Sequence, residues 1–307
     1  MCVTRHSEND QVKQFRNATV DFGAARPSVA TVKQVRKATF RDAQAIDRMV
    51  EAMPPLQRDL HSWVNQADFH VALVDDNEVI GFAARMRHRS HPQRELAAAY
   101  AHDRSDIEGL YRTAQGKRPL KIRLTADDAN GLAVATRAGF TERIRSGTYK
   151  VAPYKLTGRN GFPVETVETD TREFLDALAV LYFDTHQWDP PAALTRRFVR
   201  QAMAAGAQHM ALVRDAAGQP IGVGVAHASD DPATAADVAL VGPLEQAHPD
   251  ADAITTSLLS HLATFYAVGD APMWFEIDTG DGTNAALARA VTPLAVAEEE
   301  VVILTSD

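Results

Sequence analysis

The chain has 307 residues, 45% of them hydrophobic and 23% charged, with a formal net charge of −8. That length accommodates two domains of about 150 residues, no apolar run approaches the roughly 18 residues of a membrane span, and the acidic balance speaks against nucleic-acid binding, which needs clustered cations on phosphates. Cys2 is the single cysteine, which excludes a disulfide framework or thiolate metal site, and the opening residues lack the apolar core of an export signal, so a cytoplasmic protein is expected.

Residues 1–33 mix polar, charged and small residues without a period, the pattern of a flexible arm. Regular patterning then begins. Residues 35–40 predict a strand, and Arg41-Asp42 opens an amphipathic helix with Ala43, Ile46, Met49 and Val50 on one face. Pro54-Pro55 ends it and starts a second helix through Trp63. Two alternating strands at 69–76 and 78–86 follow across a tight turn. A strand at 95–100, a short helix at 107–114 and a strand at 120–126 come next. In 124–140, LTADDANGLAVATRAGF, a strand runs into a helix that opens at Asn130 and stops at Gly139-Phe140, glycine tolerating the left-handed conformation of a helix end. FTERIRS and TYKVAPY predict a last pair of strands.

The order then repeats. Ala72-Leu73-Val74-Asp75-Asp76 returns 139 residues later as Ala211-Leu212-Val213-Arg214-Asp215, Ile80-Gly81 is matched by Ile221-Gly222, and Asn130 returns 154 residues later as Asn284. REFLDALAVLYFD (172–184) and PAALTRRFVRQAM (191–203) repeat the two early helices, and VVIL (301–304) predicts the last strand. TGRNGFP (157–163) is rich in turn formers and reads as the linker. Two copies of one α/β unit are expected, at 34–156 and 163–307.

In each copy a strand feeds a helix N-terminus, whose unpaired N–H groups suit an anion. The junctions are 99–109 and 241–251. This order, with the Asn…Ala…Gly-Phe helix, resembles the GNAT superfamily of acyl-CoA N-acyltransferases over both halves, a tandem plan similar to that of mycothiol synthase. The resemblance implies an α/β (α+β) fold of two GNAT-like domains, each a mixed, mostly antiparallel sheet flanked by helices. It implies transfer of an acyl group from a pantetheine thioester to an amine of a small molecule, in biosynthesis. The family's diphosphate loop reads Gln/Arg-x-x-Gly-x-Gly/Ala. Gln246, Pro249 and Ala251, beside Val241, occupy its register in the second half; Arg104, Ile107 and Gly109 do so in the first.

Both loops lack the middle glycine, and Pro249 has no N–H to offer. One lost charge-assisted hydrogen bond costs about 1.5–3 kcal/mol. The donor is therefore acyl-CoA held weakly or, in preference, acyl-phosphopantetheine on an acyl carrier protein, docking on a basic surface such as Arg85–Arg89 or Arg196, Arg197 and Arg200. A non-catalytic ligand-binding or scaffold protein is the competing class. By the resemblance Asn130 and Asn284 face the pantetheine; as residues they equally suit helix caps. The family's leaving-group tyrosine is replaced by Ala135 and Arg289.

Glu95 and Asp237 stand nine residues before Arg104 and Gln246, where a base would relay the amine proton, or where a strand end is simply exposed. Tyr182, Asp184, His186 and Trp188, with Trp63 and His61 in the first copy, line an acceptor pocket or cap a helix beside a buried Trp. The second half is favoured as the donor site, with the first shaping the acceptor pocket. The eleven histidines show no metal-ligand spacing, and Asp278-Thr-Gly-Asp-Gly reads as a turn.

Overall fold

The computed structural model describes residues 33–53, 67, 69–87, 91, 93–159, 161–168, 171–192, 207–229, 231, 233–267, 269 and 271–306. The expected arm, the helix through His61 and Trp63, His88 and Arg89, and the expected helix with Arg196, Arg197 and Arg200 lie outside these residues.

The strands are β1 (Gln34–Lys37), β2 (Phe69–Asp75), β3 (Glu78–Arg87), β4 (Glu95–Ala101), β5 (Leu120–Thr125), β6 (Thr141–Val151), β7 (Val164–Val167), β8 (Ala207–Arg214), β9 (Pro220–Ala228), β10 (Ala236–Pro243), β11 (Met273–Thr279) and β12 (Val296–Thr305). The helices used below are α1 (Ala43–Ala52), α2 (Ile107–Ala114), α3 (Ala129–Arg137), α4 (Arg172–Thr185), α5 (Ala251–Thr264) and α6 (Ala285–Val291).

Period-two patterning puts apolar side chains on both faces of these strands. β2 sends Val71 and Leu73 to the cluster under α2 and α3, and Ala72 to the cluster under α1. β8 likewise divides Ala211 and Val213, which face α5, from Met210 and Leu212, which face α4. Helices on both faces therefore cover a mixed, mostly antiparallel sheet. Gly222 sets one of these contacts: a Cβ there would lie 2.3 Å from Ile254 on α5.

The sheet is continuous across both halves. Among the described residues twelve strands run in the order β1-β2-β3-β4-β5-β12-β6-β11-β10-β9-β8-β7. β12, from the end of the second half, pairs with β5 of the first, while β6, from the first, pairs with β11 of the second. Each half's last strand thus completes the other's sheet, and β6 and β12 pair with each other. The strands at FTERIRS and TYKVAPY are one strand, β6, because β11 and β12 hydrogen-bond it from both sides along its length. The strand expected at 35–40 ends at Lys37, since the Asp42 carboxylate, 4% exposed, draws in the Thr39 N–H at 2.6 Å and the Arg36 guanidinium. The Arg36 hydrogen bond holds the Asp42 carboxyl well below the usual carboxylate range.

Two adjacent pairs are parallel, and both are short. β4 and β5 pair only at Glu95–Leu120 and Leu96–Lys121, and β10 and β11 only from Ala236–Met273 to Val238–Phe275. Beyond these contacts the strands diverge, leaving a wedge in the sheet of each half.

Candidate active site

The wedge between β10 and β11 is opened by a bulge between Val238 and Leu240, beyond which β10 has no strand partner on the β11 side. It holds a cavity of about 280 Å³ lined by Tyr182, Thr185 and His186 from the end of α4, Val238 and Leu240, Glu276 and Asp278 from β11, and Asn284 and Leu287 at the start of α6.

Its polar groups can be assigned hydrogen by hydrogen. His186 Nδ1 lies 2.7 Å from the Tyr182 carbonyl oxygen, which only accepts, so Nδ1 carries the proton and Nε2 is an acceptor when the ring is neutral. Burial pushes His186 below its ordinary value, toward that neutral form. The same argument fixes His91, whose Nδ1 donates to the Asp189 carbonyl at 2.8 Å. His91 is pushed down by burial too, so its Nε2 accepts the Tyr182 hydroxyl at 3.2 Å. Tyr182 has then spent its proton, and its oxygen keeps a lone pair. Its phenol is pushed up by burial and by Asp189 and Asp278, and its ring stacks on His186 at 4.0 Å. Thr185 Oγ1 donates to the Leu181 carbonyl. Burial raises the Asp278 carboxyl against the opposing pull of Ser146, Arg123 and Lys121. Apart from the second amide hydrogen of Asn284, every polar side chain lining the cavity is thus a hydrogen-bond acceptor.

Behind this wall the halves are tied together at Asp189, which is 0% exposed. Its carboxylate takes Lys121 Nζ at 2.5 Å and Arg94 Nη1 at 3.4 Å, and Arg94 also donates to the Trp188 carbonyl. Arg94, His91 and Lys121 belong to the first half, so that half builds the back of the second half's cavity.

The donor side of the second half is occupied by the chain itself. Asn284 caps α6 by accepting the Leu287 N–H at 3.1 Å, and its amide donates to the Val241 carbonyl at 2.7 Å. The Gln246 N–H donates to the Asp184 carboxylate at 2.8 Å, whose other oxygen takes Gln187 at 2.6 Å. Pro249 lies in the turn before α5, and Ala251, buried, opens that helix with its N–H on the His248 carbonyl. Trp188 packs on Ile144, Val301 and Ile303 and lines no part of the cavity. Asp237 sits at the closed end of the wedge, in a shallow groove with Lys150, Trp274 and Glu298.

In the first half, Glu95 also lies at the closed end and pairs with Arg85 at 3.4 Å. Its wedge holds a cavity of about 280 Å³ floored by Ala99, Ala101, Leu124 and Val134, with Arg104 and Asp128 at its mouth. Asn130 does not open the helix. Asp128 caps it, accepting the Gly131 N–H at 3.0 Å, and α3 begins at Ala129 with Asn130 exposed. A Cβ at Gly109 would meet no protein atom within 4 Å. Gly139 has φ +95° and ends α3 as expected, with the Phe140 N–H returning to the Ala135 carbonyl.

Asp278, Glu276, His91 and Lys121 carry the site without having stood out in the sequence as site residues. The readable signal was MWFEIDT, where polar Glu276 and Asp278 alternate with buried Phe275 and Ile277 on a central strand.

No family model matches the chain, and no curated protein sequence matches it. Solved structures do. A GCN5-related N-acetyltransferase from Sphaerobacter thermophilus is 14% identical, with 89% of this chain and 95% of that one covered and a TM-score of 0.54. A conserved protein from Enterococcus faecalis V583, named a probable N-acyltransferase, is 11% identical, with 90% and 72% covered and a TM-score of 0.51. A tandem GNAT protein from the clavulanic acid biosynthesis pathway is 14% identical over 89% and 98%, with a TM-score of 0.49. The chain carries the fold of the GCN5-related N-acetyltransferases, in two linked halves.

Proposed function

We propose that the chain is an N-acyltransferase that moves an acyl group from a pantetheine thioester to an amine of a small molecule held in the cavity between β10 and β11. The observation that carries this reading is the set of acceptors lining that cavity: Tyr182 Oη, Thr185 Oγ1, His186 Nε2, Glu276 and Asp278 call for a ligand that donates, and an ammonium group donates in every direction. Asp278 takes a proton from the ammonium ion, directly or through His186 Nε2, and frees the nitrogen lone pair. The amine then attacks the thioester carbonyl, the C–N bond forms, and the β10 backbone at the bulge stabilises the oxyanion. The C–S bond breaks and the thiolate leaves, a tolerable leaving group without a tyrosine acid.

The donor that suits the second half lacks a nucleotide. The Asp184 carboxylate occupies the Gln246 N–H, and a diphosphate there would meet like charge. Acyl-phosphopantetheine on a carrier protein brings no diphosphate to that loop. We place this activity in specialised metabolism, within the cytoplasm. A non-catalytic ligand-binding protein is the second reading, favoured by one observation: the chain itself occupies both the Gln246 N–H and the Val241 carbonyl. Mass spectrometry of an amine panel with matched acyl-CoA and acyl-carrier thioesters separates the two. Acyl-amine formed faster from the carrier thioester, and lost in Asp278→Asn, is expected. Saturable amine binding with no product from either donor establishes the second reading instead.

A further inference from the structure

The first-half cavity has a different chemistry from the second, and its ligand can be specified independently of any acyl transfer. At its mouth Arg104 Nη1 donates to Asp128 Oδ1 at 2.9 Å, across the wedge from the β4 side to the start of α3. The same Asp128 oxygen accepts the Gly131 N–H; Oδ2 accepts no hydrogen bond among the described residues. Arg104 spends one of its N–H groups on this bond, which leaves its other nitrogens for a further acceptor. Neighbouring charges are committed elsewhere: Asp106 to Lys33 at 2.8 Å, and Glu108 to Arg112 and Arg137. The mouth therefore presents one cation and one anion side by side, with His102, Tyr100 and Tyr111 also in the lining, above a floor of Ala99, Leu124 and Val134.

The geometry points to this cavity as a binding site for a zwitterionic α-amino acid with an aliphatic side chain. The α-carboxylate meets the remaining Arg104 N–H groups, a charge-assisted pairing that guanidinium geometry favours. The α-ammonium meets Asp128 Oδ2, and the side chain fills the apolar floor. A purely anionic ligand would set its charge beside Asp128 and a purely cationic one beside Arg104, so the neutral pair selects a neutral dipolar ligand. A cavity of about 280 Å³ has room for an amino acid with a branched aliphatic side chain, and leucine is the probe chosen.

Calorimetric titration of the full chain with L-leucine tests this. Saturable binding is expected, with 4-methylpentanoate (no ammonium) and 3-methylbutylamine (no carboxylate) each at least tenfold weaker. Arg104→Gln and Asp128→Asn should each weaken leucine at least tenfold; asparagine keeps the helix cap, so the second variant removes charge without removing the fold. Asp278→Asn should leave leucine affinity where it was. Absence of saturable leucine binding, equal binding of leucine and 4-methylpentanoate, or unchanged affinity in Asp128→Asn overturns the assignment. So does a loss in Asp278→Asn matching that in Asp128→Asn, which would move leucine to the other cavity.

Discussion

Replacing Asp189 by asparagine changes one oxygen to an amide nitrogen at the most buried charge between the halves. The side chain is 0% exposed, and its two cationic partners, Lys121 and Arg94, have side chains that are each only 15% exposed. In Asp189→Asn both cations keep their places without their paired carboxylate, and the new amide presents hydrogens toward one of them. Breaking a buried ion pair from one side costs about 3–5 kcal/mol. At roughly 2 °C per kcal/mol, suited to a chain of this length, that is a Tm loss of about 6–10 °C. Urea unfolding followed by circular dichroism, at low and high salt, measures it; solvent screening reaches these groups poorly, so the loss should persist at high salt. Lys121→Met removes one stranded cation. The double variant should therefore cost less than the sum of the singles by about 0.5–3 kcal/mol. A loss below about 0.5 kcal/mol for Asp189→Asn, or strict additivity, would refute the argument that this carboxylate holds the halves together.

Other expectations follow from the same groups. His91 and His186 are both held below their ordinary value, so the unfolded chain binds more protons in that window; stability is complete above about pH 6.5 and falls as pH drops through it. Denaturation midpoints measured across that range check this, and His186→Gln should flatten the slope. Asp278 has the opposite sign: its raised carboxyl keeps its proton longer when folded, so stability declines as pH rises from the unfolded value near 3.8 through the folded one. Asp278→Asn removes that segment of the curve and should lower turnover about 100-fold or more. Asn284→Ala loses a cap worth about 0.5–2 kcal/mol and strands the Val241 carbonyl, about 1–3 kcal/mol more. Asn284→Ser keeps a capping oxygen and loses only the second contribution, so its urea midpoint should lie between those of wild type and Asn284→Ala.

Local pattern was enough wherever one face of an element decides its burial. Ile46, Met49 and Val50 marked α1, and the residues 107–114 chosen from pattern are the bounds of α2. It failed where the deciding contact comes from far along the chain. The two strands expected at FTERIRS and TYKVAPY flank Gly147. In the fold Gly147 sits within the strand because β11 and β12 pair it on both sides, opposite Ile277 and Glu300; the Tyr149 ring covers it, and a Cβ there would lie 2.6 Å from that ring. The crossing of β6 and β12 was invisible because VVIL reads as the same apolar strand whichever neighbours it takes. The helix was expected to open at Asn130; what selects Asp128 as the cap of α3 is its carboxylate lying three residues before the Gly131 N–H, a geometric fact. Asp278 was read as a turn because Gly280 and Gly282, both at positive φ, dominate that stretch. The groups that act on its carboxyl, Ser146 on β6 with Arg123 and Lys121 on β5, are far from it in sequence.

The repeat makes Ala99 and Val241 equivalent, as it does Arg104 and Gln246, and these pairs show how two copies of one unit came to differ. In both, the diverging strands expose backbone that nothing in the sheet satisfies. In the first half the Ala99 backbone bonds the Tyr111 hydroxyl, and Arg104 turns outward to Asp128. In the second, Val241 is met by Asn284 and Gln246 by Asp184, which pulls the end of α4, with Tyr182 and His186, in against the wedge. Among the described residues, the Tyr182 hydroxyl then has no acceptor inside its own half. The first half supplies one as His91, which the exchanged strands and the Asp189 cluster hold within reach. The acceptor lining of the second cavity is therefore made by both halves together. A wedge of the same sheet without His91 behind it would leave the Tyr182 proton pointing at the ligand, and would select an acceptor where this one selects a donor.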